Sequence, residues 1–347
     1  MYKYRKFLSL GVALIALNFP AGGAGKNRGN LEASKAEITT REIAILWHSP
    51  AGISSRDLLF GPGGMEHQPQ GTFTFLEEDL EGINPKVIVR DQNGVKWTVK
   101  LGPEARPETA ASRLVWAVGY FANEDYFLPE LKVQNMPLRL NRGQNLIAPD
   151  GSLPNVRLKR HLKHEKKHGH WSWRENRFTG TRELNGLRVM MALINNWDLT
   201  DENTAIYGRT DSPDSGTAER IYMVSDLGST FGTGNLTWPL GRARGNLRTY
   251  SHSKFITRIT PDYVDLHTPA PPALYFLATP HEYFRKLQLC RIGKTVPRSD
   301  ARWIGELLAR LRPDQIRDAF RAAGYSPREV QGFTTTLLDR IAELQEL

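Results

Sequence analysis

Cysteine is nearly missing from this chain: Cys290 stands alone among 347 residues. One thiol closes no intramolecular disulfide and builds no multi-cysteine zinc site. Its setting, Leu287-Gln288-Leu289-Cys290-Arg291, suits a half-buried core thiol. A Gly-x-Ser-x-Gly elbow is missing too, and with it the signature of many serine hydrolases. The stretch Gly61-Pro62-Gly63-Gly64 is followed by no helix pattern and no Lys-Ser/Thr pair, so it reads as a turn and not as a phosphate cradle. Beyond Phe19 no apolar run approaches the ~20 residues of a membrane-spanning helix. Acidic excess is lacking as well: 37 Asp and Glu face 46 Lys and Arg, a formal net charge of +9. That balance favours anionic partners without choosing among nucleotide phosphates, nucleic acid, lipid and glycan.

What is present begins with a composition, 40% hydrophobic and 24% charged, that can bury a core spanning one large domain or two lobes. At the N-terminus Lys3, Arg5 and Lys6 precede the apolar stretch Phe7 to Phe19, and small residues follow from Pro20 to Gly25. This is the pattern of a secretory signal over residues 1–25, with an uncleaved anchor as the alternative. The expectation is an exported protein, periplasmic or secreted, with a flexible polar tail at 26–40.

Three strand-like segments come next: Thr72 to Leu76, Lys86 to Arg90 and Val95 to Lys100. Between the last two, Asp91-Gln92-Asn93-Gly94 is a hairpin signal, because Asn-Gly tolerates positive φ. Alternation puts Val95, Trp97 and Val99 on one face, and Lys96, Thr98 and Lys100 on the other. A helix is predicted from Pro107 through Val118, with Glu108 in its first turn and Gly119 at its end. The basic run 157–170 carries His161, His164, His168 and His170. It reads as a solvated loop, with anion docking or histidine metal binding as alternatives. Helical patterns then cover 183–194, 280–289, 301–311, 313–323 and 327–347. Ser326 and Glu329 fit a capping box on the last of these. The expected class is α+β, a β-rich lobe over 41–135 followed by a helical lobe over 136–347.

The polar residues with chemical promise lie where these elements end. Asp198 and Asn203 share the loop after the 183–194 helix, and Asp226 of Asp226-Leu227-Gly228 follows the apolar strand Tyr222-Met223-Val224. Phosphoryl transfer asks for little covalent chemistry: a base near the acceptor hydroxyl, a bound metal, and positive charge on the phosphates. An Asp with an Asn five positions on can supply the base and an oxygen for Mg²⁺, and an Asp at a strand end adds the carboxylate that hard cations prefer. Either motif is common by chance; their order after a hairpin lysine is what carries weight.

That ordered set resembles the protein-kinase-like superfamily, in its atypical branch of secreted Golgi-type kinases, phosphatidylinositol kinases and bacterial toxin-type serine kinases. The resemblance implies a bilobal fold, with ATP or another nucleotide and Mg²⁺ as cofactors. Asp198 would be the catalytic aspartate, Asn203 and Asp226 the metal ligands, Lys100 the nucleotide lysine, and Glu108 its partner, with Glu104 competing. Gly82, in Leu80-Glu81-Gly82-Ile83-Asn84-Pro85, is the one glycine where typical kinases have three. Trp197 stands where they have an arginine. The implied partner is an anionic ligand or a protein, glycan or lipid hydroxyl. Export and the lack of a recognisable module disfavour nucleic acid. A catalytically inactive kinase-fold scaffold and a basic polymer-binding protein are the alternatives.

Overall fold

The computed structural model describes residues 41–162, 165–209, 217–233, 244–269, 275–278 and 280–347. The signal-like segment and the tail lie outside the described residues. The first strand, β1 (Arg41–Ile45), is followed by the meander β2 (Phe73–Asp79), β3 (Lys86–Asp91) and β4 (Lys96–Lys100). The β3–β4 turn forms for the reason the sequence suggests. Asp91 Oδ1 accepts from the N–H groups of Asn93 and Val95 at 2.9 Å each, and Gly94 takes φ +80°. Asp91 Oδ2 accepts from Trp97 Nε1 at 2.9 Å, which ties the turn to the sheet's core.

Helix α1 (Ala105–Ala117) leads to β5 (Asp125–Leu131), β6 (Val133–Gln134) and β7 (Leu153–Arg160). These complete a six-stranded sheet of order β5-β7-β4-β3-β2-β6. Its apolar face packs Val87, Val89, Trp97, Val99, Tyr126 and Leu158 into one cluster. The sheet thus runs past the expected boundary at 135, because β7 returns to fill the place between β4 and β5. The predicted solvated loop at 157–170 is corrected in the same way. Residues to Arg160 belong to β7, and β8 (Glu165–Gly169) begins a second sheet. Apolar Val156 and Leu158 pull β7 into the sheet, and Arg157 between them is carried inside at 3% exposure.

That run also spells His164-Glu165-Lys166-Lys167-His168, a spacing that gathers two histidines on zinc only when it lies on a helix. Glu165–Gly169 is a strand, and His164 lies outside the described residues. Nor do the flanking histidines converge: His161 Nε2 meets Thr98 Oγ1 at 2.7 Å, and His170 Nδ1 donates to the Thr204 carbonyl at 2.6 Å.

Beyond it come α2 (Arg182–Leu193), β9 (Thr204–Arg209), β10 (Thr217–Val224) and α3 (Leu247–Ser251). The second sheet has order β1-β10-β9-β8, with β1 and β10 parallel. A third sheet joins β11 (Ile256–Ile259) and β12 (Tyr263–Leu266) to β13 (Val296–Pro297), which follows α4 (Tyr275–Ala278) and α5 (Pro280–Leu289). The chain closes with α6 (Arg298–Leu308), α7 (Pro313–Ala322) and α8 (Pro327–Gln345). The class is α+β, with the β-rich part first and the helical part last. At the start of α8 the capping box is present: Ser326 N donates to Glu329 Oε2 at 2.9 Å. Helix α2 packs on α6, and α6 and α7 on α8, while α1 docks on α7. No helix among the described residues is long and apolar enough to cross a membrane.

Candidate functional site

Three chain segments deliver the site, and each has a local reason to be where it is. The first is the open end of the β9–β10 hairpin. The register pairs Thr204 with Val224, so Asn203, just before β9, lies beside Ser225 and Asp226, just after β10. The Asn203 carbonyl accepts from Ser225 N at 2.8 Å and from Asp226 N at 3.2 Å. The second is the loop leaving α2. Asn195 ends that helix at φ +50°, a conformation asparagine tolerates. Asp198 N then donates to Asn196 Oδ1 at 3.0 Å, and the Asp198 carbonyl accepts from Asn203 Nδ2 at 2.7 Å. Trp197 N donates to the Ser229 carbonyl at 3.2 Å, which joins the Asp198 loop to the segment after Asp226.

The third segment is β4 with α1. Lys100, 3% exposed, ends β4 and is surrounded by carboxylates. Its Nζ lies 2.8 Å from Glu108 Oε2, 2.9 Å from Asp226 Oδ2 and 3.1 Å from Glu104 Oε2. The competition between Glu104 and Glu108 is resolved by both taking part, one turn apart at the start of α1. Glu104 is also held by Asn84 Nδ2 at 2.7 Å and by Arg244 Nε at 2.9 Å. Arg244 lies over the ring of Trp197 at 5.1 Å. Glycine is required in Asp226-Leu227-Gly228, since a Cβ on Gly228 would lie 2.5 Å from Glu104 Oε2.

Burial alone would lower Lys100's hold on its proton, but Asp226, Glu108 and Glu104 outweigh it and raise the group above its ordinary value. The side chain of Asp226 is about a third exposed. Partial burial pushes its carboxyl up, yet Lys100 and the Gly228 N–H prevail and hold it below the usual carboxylate range. Burial pushes Glu104 up, and Lys100 offsets only part of this.

Among solved structures the chain is similar to the Helicobacter pylori proinflammatory kinase CtkA, at 12% identity and TM-score 0.42, over 79% of this chain and 95% of that one. It is also similar to the Golgi casein kinase, at 11% identity and TM-score 0.35, over 80% and 73%. A third likeness is to the Rio2 kinase of Chaetomium thermophilum, at 10% identity and TM-score 0.28, over 78% and 72%. No family model and no curated protein matches the chain. These likenesses are remote, and the residue roles below rest on the contacts of this chain.

The structure brings Lys100, Glu108 and Asp226 into direct contact and joins Asp198 and Asn203 to them through the two loops. Gly82 is placed differently. It sits at φ +66° with open space around it, and its carbonyl accepts from Arg142 Nη1. The residue of that turn that reaches the carboxylates is Asn84. Sequence reasoning also missed Arg157, whose Nη2 lies 2.7 Å from Glu108 Oε1 and whose Nη1 lies 3.3 Å from Asp125 Oδ1. The alternation Val156-Arg157-Leu158 puts it on the polar face of a strand, but only the β4–β7 register sets it opposite Lys100.

Glu104, Glu108 and Asp226 present carboxylate oxygens within 4.8 Å of one another, but the Lys100 ammonium contacts all three. Divalent-ion ligands fit better at the edge of this cluster. Asn203, whose main-chain carbonyl accepts from Asp226 N, has its amide nitrogen engaged on the Asp198 carbonyl, which leaves the amide oxygen as the acceptor to offer a cation. A carboxylate and an amide oxygen are the hard donors that Mg²⁺ and Mn²⁺ prefer.

Asp125 carries a pH signature. Burial pushes its carboxyl up to about 6, with Arg157 pulling back and Glu108 adding to the rise. A carboxyl raised in the folded state favours folding fully below its unfolded value, and that contribution is lost as pH rises through 6. Wild type is therefore expected to gain about 2 kcal/mol relative to Asp125→Asn between pH 7 and 4.5. Urea unfolding at both pH values measures it; a difference independent of pH would mean an ordinary carboxyl.

Proposed function

We propose that this protein is an atypical kinase that transfers the γ-phosphoryl group of a nucleotide to a hydroxyl acceptor. The observation that carries this reading is the joining of Lys100, Asp198, Asn203 and Asp226, from three separate segments of the chain, in one site. Lys100 is positioned and charged to hold nucleotide phosphates. Asp226 and Asn203 would hold the divalent cation, which supplies positive charge against the phosphate oxygens. Asp198 accepts the proton of the acceptor hydroxyl as its oxygen bonds to the γ-phosphorus and the bond to the β–γ bridging oxygen breaks, releasing the nucleoside diphosphate. The partly exposed Asp226 lies where the buried ion pairs meet solvent, so a nucleotide can reach Lys100 from that side.

ATP with Mg²⁺ at about a hundred times its Kd is expected to add ~2.7 kcal/mol to the unfolding free energy. Asp226→Ala, or EDTA with the wild type, should remove most of that gain, read as a shift in Tm. If no nucleotide stabilises the wild type with Mg²⁺ or Mn²⁺, the kinase reading fails, and a scaffold of the same fold takes its place.

A further inference from the structure

Away from this site, α3 and the loops that follow it enclose a surface cavity of about 560 Å³, a size usual for ligand pockets. Its wall carries four basic side chains, Arg248, His252, Lys254 and His267, with the hydroxyl-bearing Thr249 and Ser253 between them. No carboxylate lines it among the described residues. Arg248 and Lys254 are exposed and make no ion pair with any described residue. Beneath them lies a further cation: Arg340 is 2% exposed and its guanidinium donates only to neutral groups. These are the carbonyls of Leu193, Tyr250 and Ser253, Asn195 Oδ1, and Ser253 Oγ at 2.6 Å. The ring of Tyr250 lies 4.1 Å below it.

A basic surface is ordinary for a chain of net charge +9. Convergence is not. Arg248 from α3 and Lys254 from the loop after it border one concave space above the buried Arg340 of α8, with the imidazoles of His252 and His267 completing the wall. His267 registers the surrounding charge: burial, then Arg340, Lys294 and Lys254, hold its imidazole below the usual range. Tetrahedral oxyanions are the ligands that several cationic N–H donors around one concave space satisfy best. We infer that this cavity is a binding site for a phosphate-class oxyanion, either free phosphate or a phosphoryl group carried on a polypeptide. Ser253 Oγ accepts from Asn195 Nδ2 at 2.7 Å, so the cavity is built on the scaffold that carries Asp198. Its basic residues have no part in the proposed phosphotransfer.

The test is calorimetric titration of the full chain with inorganic phosphate at constant ionic strength in chloride. A phosphoserine peptide and its unphosphorylated twin are titrated in parallel. Arg248→Ala with Lys254→Ala is expected to weaken phosphate binding about tenfold or more, the loss of one to two charge-assisted hydrogen bonds. Lys166→Ala with Lys167→Ala removes the same charge from the exposed β8 and should change nothing. Phosphopeptide binding tighter than phosphate, with the twin silent, assigns the polypeptide source; equal binding assigns the free anion. Phosphate binding that survives the first double variant, or falls equally in both, overturns the proposal, whatever the fate of kinase activity.

Discussion

Exchange of Asp198 for alanine is expected to lower phosphotransfer by roughly 10²–10⁴-fold, the usual contribution of a positioned general base, while nucleotide affinity stays within about twofold. The separation follows from how the loop is built. Its shape is held by main-chain groups: Asp198 N on Asn196 Oδ1, the Asp198 carbonyl on Asn203 Nδ2, and Trp197 N on the Ser229 carbonyl. Removing the carboxylate leaves all three bonds in place, so Asn203 and Asp226 keep their positions. The measurement is the initial rate of phosphoryl transfer from labelled ATP to a generic acceptor protein, beside the Tm shift produced by ATP and Mg²⁺. A rate undiminished in Asp198→Ala would remove the catalytic assignment, even with nucleotide binding intact.

The parts of the site that were legible in the sequence are those whose chemistry is local. The β3–β4 turn announces itself in Asp91-Gln92-Asn93-Gly94, and the strand that follows presents Lys100 by simple alternation. Asp198, Asn203 and Asp226 stand at the ends of elements with clear apolar periodicity, so their order could be read directly. Arg157 could not be placed because its role depends on the β4–β7 pairing, a register between segments far apart in the chain. Read locally, it was one more cation in a basic run. Gly82 is read less far for a related reason: a glycine shows that the backbone can turn, not what the turn reaches, and here Asn84 makes the contact with Glu104. Arg244 is positioned by Gly245 N on the Thr230 carbonyl and Asn246 N on the Phe231 carbonyl, long-range bonds with no sequence signature. The helical part was easier. Pro313 and Pro327 mark helix starts by the same local rule that fixes the capping box, and α7 and α8 begin at those residues.

The largest expected effect on stability belongs to Glu108→Ala, at about 3–5 kcal/mol, the usual cost of breaking a buried ion pair. Lys100 and Arg157 are directly opposite across β4 and β7, a like-charge pair that would repel if left alone. Glu108 is 1% exposed and lies between them, with Oε2 at 2.8 Å from Lys100 and Oε1 at 2.7 Å from Arg157. One carboxylate fork thus neutralises two cations taken out of water. Without it Lys100 retains Glu104 and Asp226, whereas Arg157 keeps only the longer 3.3 Å approach to Asp125 among its described ion pairs. The damage should therefore fall mainly on Arg157, which gives the test its form. Urea unfolding of Glu108→Ala, Arg157→Met and the double variant should give a coupling of about 1–3 kcal/mol, because losing Arg157 removes the charge that Glu108→Ala strands. If the two losses simply add, Glu108 serves Lys100 alone, and β7 has no electrostatic part in holding the phosphate-binding lysine in place.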